Sequence, residues 1–177
     1  MLGLNYAMEQ EANVQGVVLM EAIIPPTFPM ENAGFFSNFR NPETGRQLLI
    51  EQNQFIENIL LNGTRTRTLS EAEKEAYRAP FRDPESRFPI YVWPTELPIA
   101  GEPARNVEVV EAIGVWMAGS SMPKLIQYVS PGALMGPEAV QWMANNYRNV
   151  ELQFVGYGGH YIQEDNPEAI GRGIVEW

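Results

Sequence analysis

The chain of 177 residues contains no cysteine and only one histidine, His160. Without cysteine there is no disulfide scaffold, no thiolate metal site and no thiol nucleophile. One histidine without cysteine does not make the usual transition-metal site, so no metal is expected. Basic residues are scarce as well: twelve Lys and Arg stand against 22 Asp and Glu, a formal net charge of −10. No Lys/Arg run occurs, which argues against a nucleic-acid backbone or an anionic membrane surface as partner. Long hydrophobic runs are missing too. The longest, Val17 to Pro26, is broken by Glu21 and is too short to span a bilayer. The start, Met1 to Tyr6, lacks the basic region and small-residue cleavage site of a signal peptide. A soluble, cytoplasmic protein is expected. What is present is an ordinary globular balance, 45% hydrophobic and 19% charged, which excludes a disordered tail or a fibre.

Two further absences concern chemistry. No Gly-x-Ser-x-Gly elbow occurs, and Ser120 and Ser121 sit at a helix exit where no strand-to-helix turn presents them. No glycine-rich phosphate loop follows a strand, so no nucleotide cofactor is expected.

Along the chain, Leu2, Leu4, Tyr6, Ala7 and Met8 recur at near-helical spacing and predict a helix over the first dozen residues. Val14 to Met20 is a β-branched apolar run, the pattern of a strand covered on both faces. Residues 22–98 hold most of the prolines and only short helical patterns. Asn41-Pro-Glu-Thr44 reads as a capped helix start, Arg46 to Leu61 as short amphipathic turns, and Ser70-Glu-Ala-Glu73 as a capping box. Pro80, Pro84, Pro89 and Pro94 predict an irregular stretch. The α/β rhythm returns with a helix over Ala104 to Met117, a strand over Lys124 to Val129, a helix over Pro137 to Asn145, a strand over Val150 to Val155 and a last helix from Asn166. Three strands predict a narrow parallel sheet interrupted by a helical insertion.

The chemistry-bearing residues stand at strand ends. Gly156-Tyr-Gly-Gly-His160 delivers His160 just beyond the third strand, and glycines there present a side chain at the sheet's edge. A histidine base needs a carboxylate on its other ring nitrogen to fix the tautomer and stabilise the imidazolium. Glu21, at the end of the first strand, is the natural candidate. Glu164 and Asp165 are nearer in sequence, but Asp165 and Asn166 read as caps of the last helix.

Five stretches occur in order: Gly16-Val-Val-Leu-Met-Glu-Ala22, Gln52-Asn53-x-Phe55-Ile-Glu57, Tyr77-Arg-x-Pro-Phe81, Trp93-Pro-x-Glu-Leu-Pro-Ile-Ala-Gly-Glu-Pro103 and Gly159-His-Tyr-x-Gln-Glu-Asp-Asn-Pro167. Together they resemble the C-terminal portion of a haloalkane dehalogenase, an α/β-hydrolase with a helical cap, and the resemblance covers essentially the whole chain. It implies a partial α/β-hydrolase fold: core over residues 1–23, cap over 24–98 and core again over 99–177. It implies a cofactor-independent hydrolase. An aspartate displaces halide from a haloalkane, and His160, oriented by Glu21, activates the water that cleaves the resulting ester. Phe36, Phe55 and Ile59 match cap positions lining the substrate cavity, and Leu134 and Tyr161 match lining positions in the core. The turn after the next strand, Ser130-Pro-Gly132, carries no acid, so Glu21 is the acid the resemblance points to. The family's nucleophile elbow, which resemblance places just before Met1, has no counterpart here. The chain alone is therefore expected to be inactive, with an exposed apolar sheet edge and self-association through it. The alternatives are another capped α/β-hydrolase, a monooxygenase resembling the Renilla-type luciferases, or a non-enzymatic binding module.

Overall fold

The computed structural model describes residues 1–27 and 34–177. Its centre is a parallel sheet in the order β1-β2-β3, formed by β1 (Val17–Leu19), β2 (Lys124–Pro131) and β3 (Val150–Gly158). Before β1 comes α1 (Leu2–Glu9), closed by a 3₁₀ turn over Glu11–Asn13. That turn claims Val14, whose amide donates to the Glu11 carbonyl at 3.2 Å. At the other end Glu21 takes a left-handed φ of 46°. Between them, β1 is shorter than the apolar run from Val14 predicts. β3 is longer than expected, because a register shift between Tyr128 and Val129 lets Gly156, Tyr157 and Gly158 pair with Val129, Ser130 and Pro131. The glycines expected in a loop are thus mostly strand.

Alternation along β2 sends successive side chains to opposite faces. Ile126 joins Leu4, Leu19, Ile113, Met117 and Met143 in a cluster between the sheet and α1, α6 (Ala104–Gly119) and α7 (Pro137–Asn146). On the other face Val129 and Val155 pack against Ile162 and Ile170, from α8 (Ile162–Asp165) and α9 (Pro167–Glu176). Gln127 also points that way, donating to Gln153 Oε1 at 2.7 Å and to the Ile170 carbonyl at 3.0 Å.

Between β1 and α6 lies a helical layer of short pieces. Asn41 caps α3 (Pro42–Arg46), which follows α2 (Ser37–Arg40), by accepting from the Glu43 and Thr44 amides. π-Helical turns over Gln47–Glu51 and Phe55–Leu60 follow. The capping box at Ser70 and Glu73 opens α4 (Glu71–Arg78) with both of its hydrogen bonds in place. Phe88–Thr95 corrects the expectation of an irregular proline-rich stretch, for it is a helix, α5. Pro89 falls in its first turn, where a missing N–H costs nothing, and Pro94 falls next to its end. Ile56, Leu61, Leu69 and Ile90 form this layer's own apolar cluster.

β1 has β2 on one side and, among the described residues, no strand on the other. The expected sheet edge is there, but it is three residues long with half-buried Val17 and Val18. Short edges are poor templates for pairing, and self-association through this one finds no support. Among the described residues no helix is long and apolar enough to cross a membrane.

At the start of β2, Lys124 is 1% exposed. Its Nζ donates to the carbonyls of Ser120 (2.8 Å), Met122 (2.9 Å) and Arg148 (2.8 Å), which joins the exit of α6 to the loop before β3. The ammonium also stands 5.7 Å from the Trp116 ring centroid. Burial holds its pKa below the ordinary lysine value despite the nearby Glu11 carboxylate. Lys124→Met should cost about 3 kcal/mol, since a buried acceptor left without its donor costs about 1–3 kcal/mol and three depend on this group. Urea denaturation of both proteins checks this, and an unchanged midpoint would refute it.

Candidate active site

Because the strands run parallel, the carboxyl ends of β1 and β3 flank that of β2. Glu21 lies two residues past the end of β1, and His160 two residues past the end of β3. The left-handed turn at Glu21 directs its carboxylate under the chain that leaves β2. That chain turns at Gly132 with φ 72°, and a Cβ there would lie 3.2 Å from Glu21 Oε1 and 3.0 Å from Gly136. The turn aims three successive amides at one carboxylate. Leu134 N donates to Oε2 at 2.8 Å, Met135 N to Oε1 at 3.1 Å, and Ala133 N to Oε2 at 3.2 Å.

Glu21 Oε2 also stands 3.3 Å from His160 Nδ1. An ionised carboxylate can only accept, so the proton of neutral His160 belongs on Nδ1 and the lone pair on Nε2. The Glu21 side chain is 4% exposed and that of His160 49%. Burial pushes the Glu21 carboxyl up, but His160 and the three amides outweigh it and hold the pKa below the ordinary value. Such an arrangement fixes the tautomer from behind and leaves Nε2, which has no hydrogen-bond partner among the described residues, able to accept a proton.

Of the other residues singled out in the sequence, Tyr161 lies against His160, ring centroids 5.2 Å apart and edge to face. Leu134 is half-buried against the main core, and its backbone amide binds Glu21. Phe55 packs against the helical layer's own cluster. Ile59 is half-buried on the same π-helical turn. Phe36 packs edge to face on the buried Phe39 at 5.6 Å. Thus Tyr161 and Leu134 are brought to the dyad. A cleft of about 230 Å³ lined by Asn53, Glu57 and Arg78 includes none of these five. Ser120 is at the opposite end of β2, its hydroxyl bonded to Glu11. The expected capping role of Asp165 and Asn166 is corrected. Asn166 holds the N-cap position of α9 but its amide donates to the Tyr157 carbonyl at 2.9 Å, and Asp165 reaches to another segment. The three amides around Glu21 leave no side-chain signature, and Gly132 and Gly136 flanking them are the sequence feature that marks the turn. Among the described residues no group of three or more His, Asp or Glu could hold a metal ion.

A three-stranded parallel sheet with helices on both faces, and a carboxylate–histidine pair at its strand ends, fits part of an α/β-hydrolase fold. No family model matches the chain, but individual proteins do. A haloalkane dehalogenase of Bradyrhizobium diazoefficiens is 42% identical over 142 residues, which is 80% of this chain and 46% of that protein. Another, of Mycolicibacterium smegmatis, is 36% identical over 99% of this chain and 57% of its own length. The crystal structure of the haloalkane dehalogenase DbeA from Bradyrhizobium elkani superposes with a TM-score of 0.92 at 39% identity, covering 99% of this chain and 62% of that one. This chain is a haloalkane dehalogenase homologue, and it spans 46% and 57% of the two curated relatives.

Glu21→Gln keeps the shape of the side chain but turns amide hydrogens towards groups that are themselves donors. It should cost about 1.5–3 kcal/mol at neutral pH, the range for hydrogen bonds to a charged group. Since folding depresses the Glu21 pKa, its contribution is complete above the ordinary value of 4.5 and is lost as the pH falls through the lowered one. The denaturation midpoint of the variant should therefore fall less on acidification than that of the parent. Equal acid dependence would show that Glu21 is not held as an anion.

Proposed function

We propose that the chain contributes the base, the orienting acid and the cap of a haloalkane dehalogenase. The observation that carries this reading is the Glu21–His160 contact of 3.3 Å between the two strand ends that flank β2, in a chain whose relatives bear that name. In the proposed cycle a carboxylate nucleophile, carried by the part of the enzyme these 177 residues do not span, attacks the halogen-bearing carbon. The carbon–halogen bond breaks, halide leaves with the electron pair, and an alkyl ester remains. His160 Nε2 then takes a proton from water as the water oxygen attacks the ester carbonyl. The ester C–O bond breaks, the imidazolium gives its proton to the departing alkoxide so that alcohol leaves, and the regenerated carboxyl releases its proton to solvent. Glu21 stabilises that imidazolium without itself becoming protonated. The net change is haloalkane plus water giving alcohol, halide and a proton.

Residues 24–98 would then form the cap, with residues 1–23 and 99–177 as core. Tyr161, beside the His160 ring, and Leu134, beside Glu21, are the pocket residues this reading favours; Phe36, Phe55 and Ile59 would serve the cap side. No metal or organic cofactor enters any step, and the reading carries a cytoplasmic location with it.

The test is to assemble the chain with the nucleophile-bearing portion of a curated relative and follow halide release from a short bromoalkane. The chain alone should release none and the assembled protein should turn over. His160→Ala in the assembly should release about one halide per site and stop at the ester, since displacement needs no base and hydrolysis does. Mass spectrometry would detect the alkyl adduct. Sustained turnover by His160→Ala would remove His160 from the mechanism.

A further inference from the structure

Glu21 is fixed by its place at a strand end and by three amides, whereas His160 sits on a loop with half of its ring in solvent. Something else must hold that loop. The peptide before His160 is bound directly: Gly159 N donates to Asp165 Oδ2 at 3.4 Å. The other oxygen, Asp165 Oδ1, accepts from Arg65 N at 2.7 Å, Thr66 N at 2.8 Å and Thr66 Oγ1 at 3.0 Å. One carboxylate thus ties the histidine loop to residues 65 and 66, about one hundred positions away in the chain.

The adjacent carboxylate repeats the connection. Glu164 Oε2 pairs with Arg67 Nη2 at 2.7 Å, while Oε1 accepts from the Tyr77 hydroxyl of α4. Arg67 also donates from Nε to the Glu164 carbonyl at 2.9 Å and from Nη1 to Glu73 of the capping box. Glu164 pushes the Tyr77 hydroxyl up to about 12, as expected when a phenol proton is shared with an anion. Packing closes the remaining gap. A Cβ on Gly63 would overlap the Tyr161 ring, and one on Gly159 would stand 3.1 Å from Arg65 Cγ. His160 is therefore bracketed on both sides by contacts to residues 63–67.

We propose that Glu164 and Asp165 are positioning residues that hold His160 Nδ1 against Glu21 by clamping the histidine loop to residues 63–67 and α4. The proposal rests on the reading of Glu21 and His160 as a working pair. It makes the helical layer a mechanical support of the base as well as a cover. The two carboxylates divide the task. Asp165 fixes the backbone before the histidine, and Glu164 fixes the segment after it.

Because His160 is the only histidine, its ring nitrogens give one unambiguous set of signals after ¹⁵N-histidine labelling. Long-range ¹H–¹⁵N spectra of the intact chain, at a pH where the imidazole is neutral, report the ratio of the Nδ1–H to the Nε2–H tautomer. The parent should favour Nδ1–H. Glu21→Gln should move the ratio towards Nε2–H, and Asp165→Asn should move it the same way several-fold. Asparagine retains one acceptor for the Arg65 and Thr66 amides but loses the one that Gly159 needs. Thr66→Val, which removes a single donor to Asp165, should shift the ratio by less. Arg82→Gln, which breaks the ion pair with Glu75 elsewhere in the helical layer, should not shift it.

If Glu21→Gln leaves the ratio unchanged, the pair itself fails and the clamp with it. If Glu21→Gln shifts the ratio while Asp165→Asn and Thr66→Val do not, the clamp alone is overturned. An equal shift with Arg82→Gln also overturns it, because general loosening would then explain the effect. Should Asp165→Asn fail to fold, judged by loss of spectral dispersion, Thr66→Val decides.

Discussion

A carboxylate removed from water costs several kcal/mol unless its neighbours replace the hydration it has lost. Glu21 is such a group, and much of the local architecture is explained by the need to satisfy it. Three amides do so only because the chain leaving β2 turns sharply at Gly132, where a side chain would press on the carboxylate itself. That turn in turn lies beside Glu21 only because β1 and β2 are in register, Leu19 opposite Ile126. The left-handed backbone at Glu21 is unfavourable for a non-glycine residue and persists where surrounding contacts over-determine it. Strand pairing, turn and side chain therefore form one cooperative unit. His160 is the fourth partner of the carboxylate, and the only one supplied by a side chain.

A second constraint explains how an acidic chain uses its few cations. The helical layer mixes short α-helices with 3₁₀ and π turns and irregular connections, whose carbonyls lie outside regular ladders and need other donors. Arg40 donates to the carbonyls of Leu97, Ile99 and Glu102. Arg87 reaches those of Ile50, Glu51, Phe81 and Arg82. Lys124 does the same for three more at the foot of the sheet. These cations serve the backbone, where a neutral residue could not supply as many donors. Other arginines, such as Arg67 and Arg78, pair with carboxylates on exposed faces, where ion pairs contribute little to stability and much to the geometry of particular loops.

These two constraints also explain what could be read in the sequence. The sheet, its order of elements and the Glu21–His160 pair were legible, because β-branched runs and residues just past strand ends are properties of the chain itself. α5 was not, since Pro89 and Pro94 look like breakers until one knows that they fall near the two ends of a helix. Asp165 misleads a local reading for a related reason. An acid before Asn-Pro is a good cap by local rules, and only tertiary structure brings the Arg65 and Thr66 amides to compete for it. Phe55 shows the limit on apolar residues: an aromatic at helical spacing reads the same whether it lines a cavity or fills a core, and its half-buried place against the helical layer's cluster fits either role. The amides of Ala133, Leu134 and Met135 lie deepest out of reach, because every residue but proline has one and nothing in a side chain says where it points. What marks them is indirect, the pair Gly132 and Gly136, whose positions tolerate no Cβ without displacing a neighbour. A donor set made of backbone is therefore found in a sequence by the glycines that shape it, and the acid it serves must be identified separately.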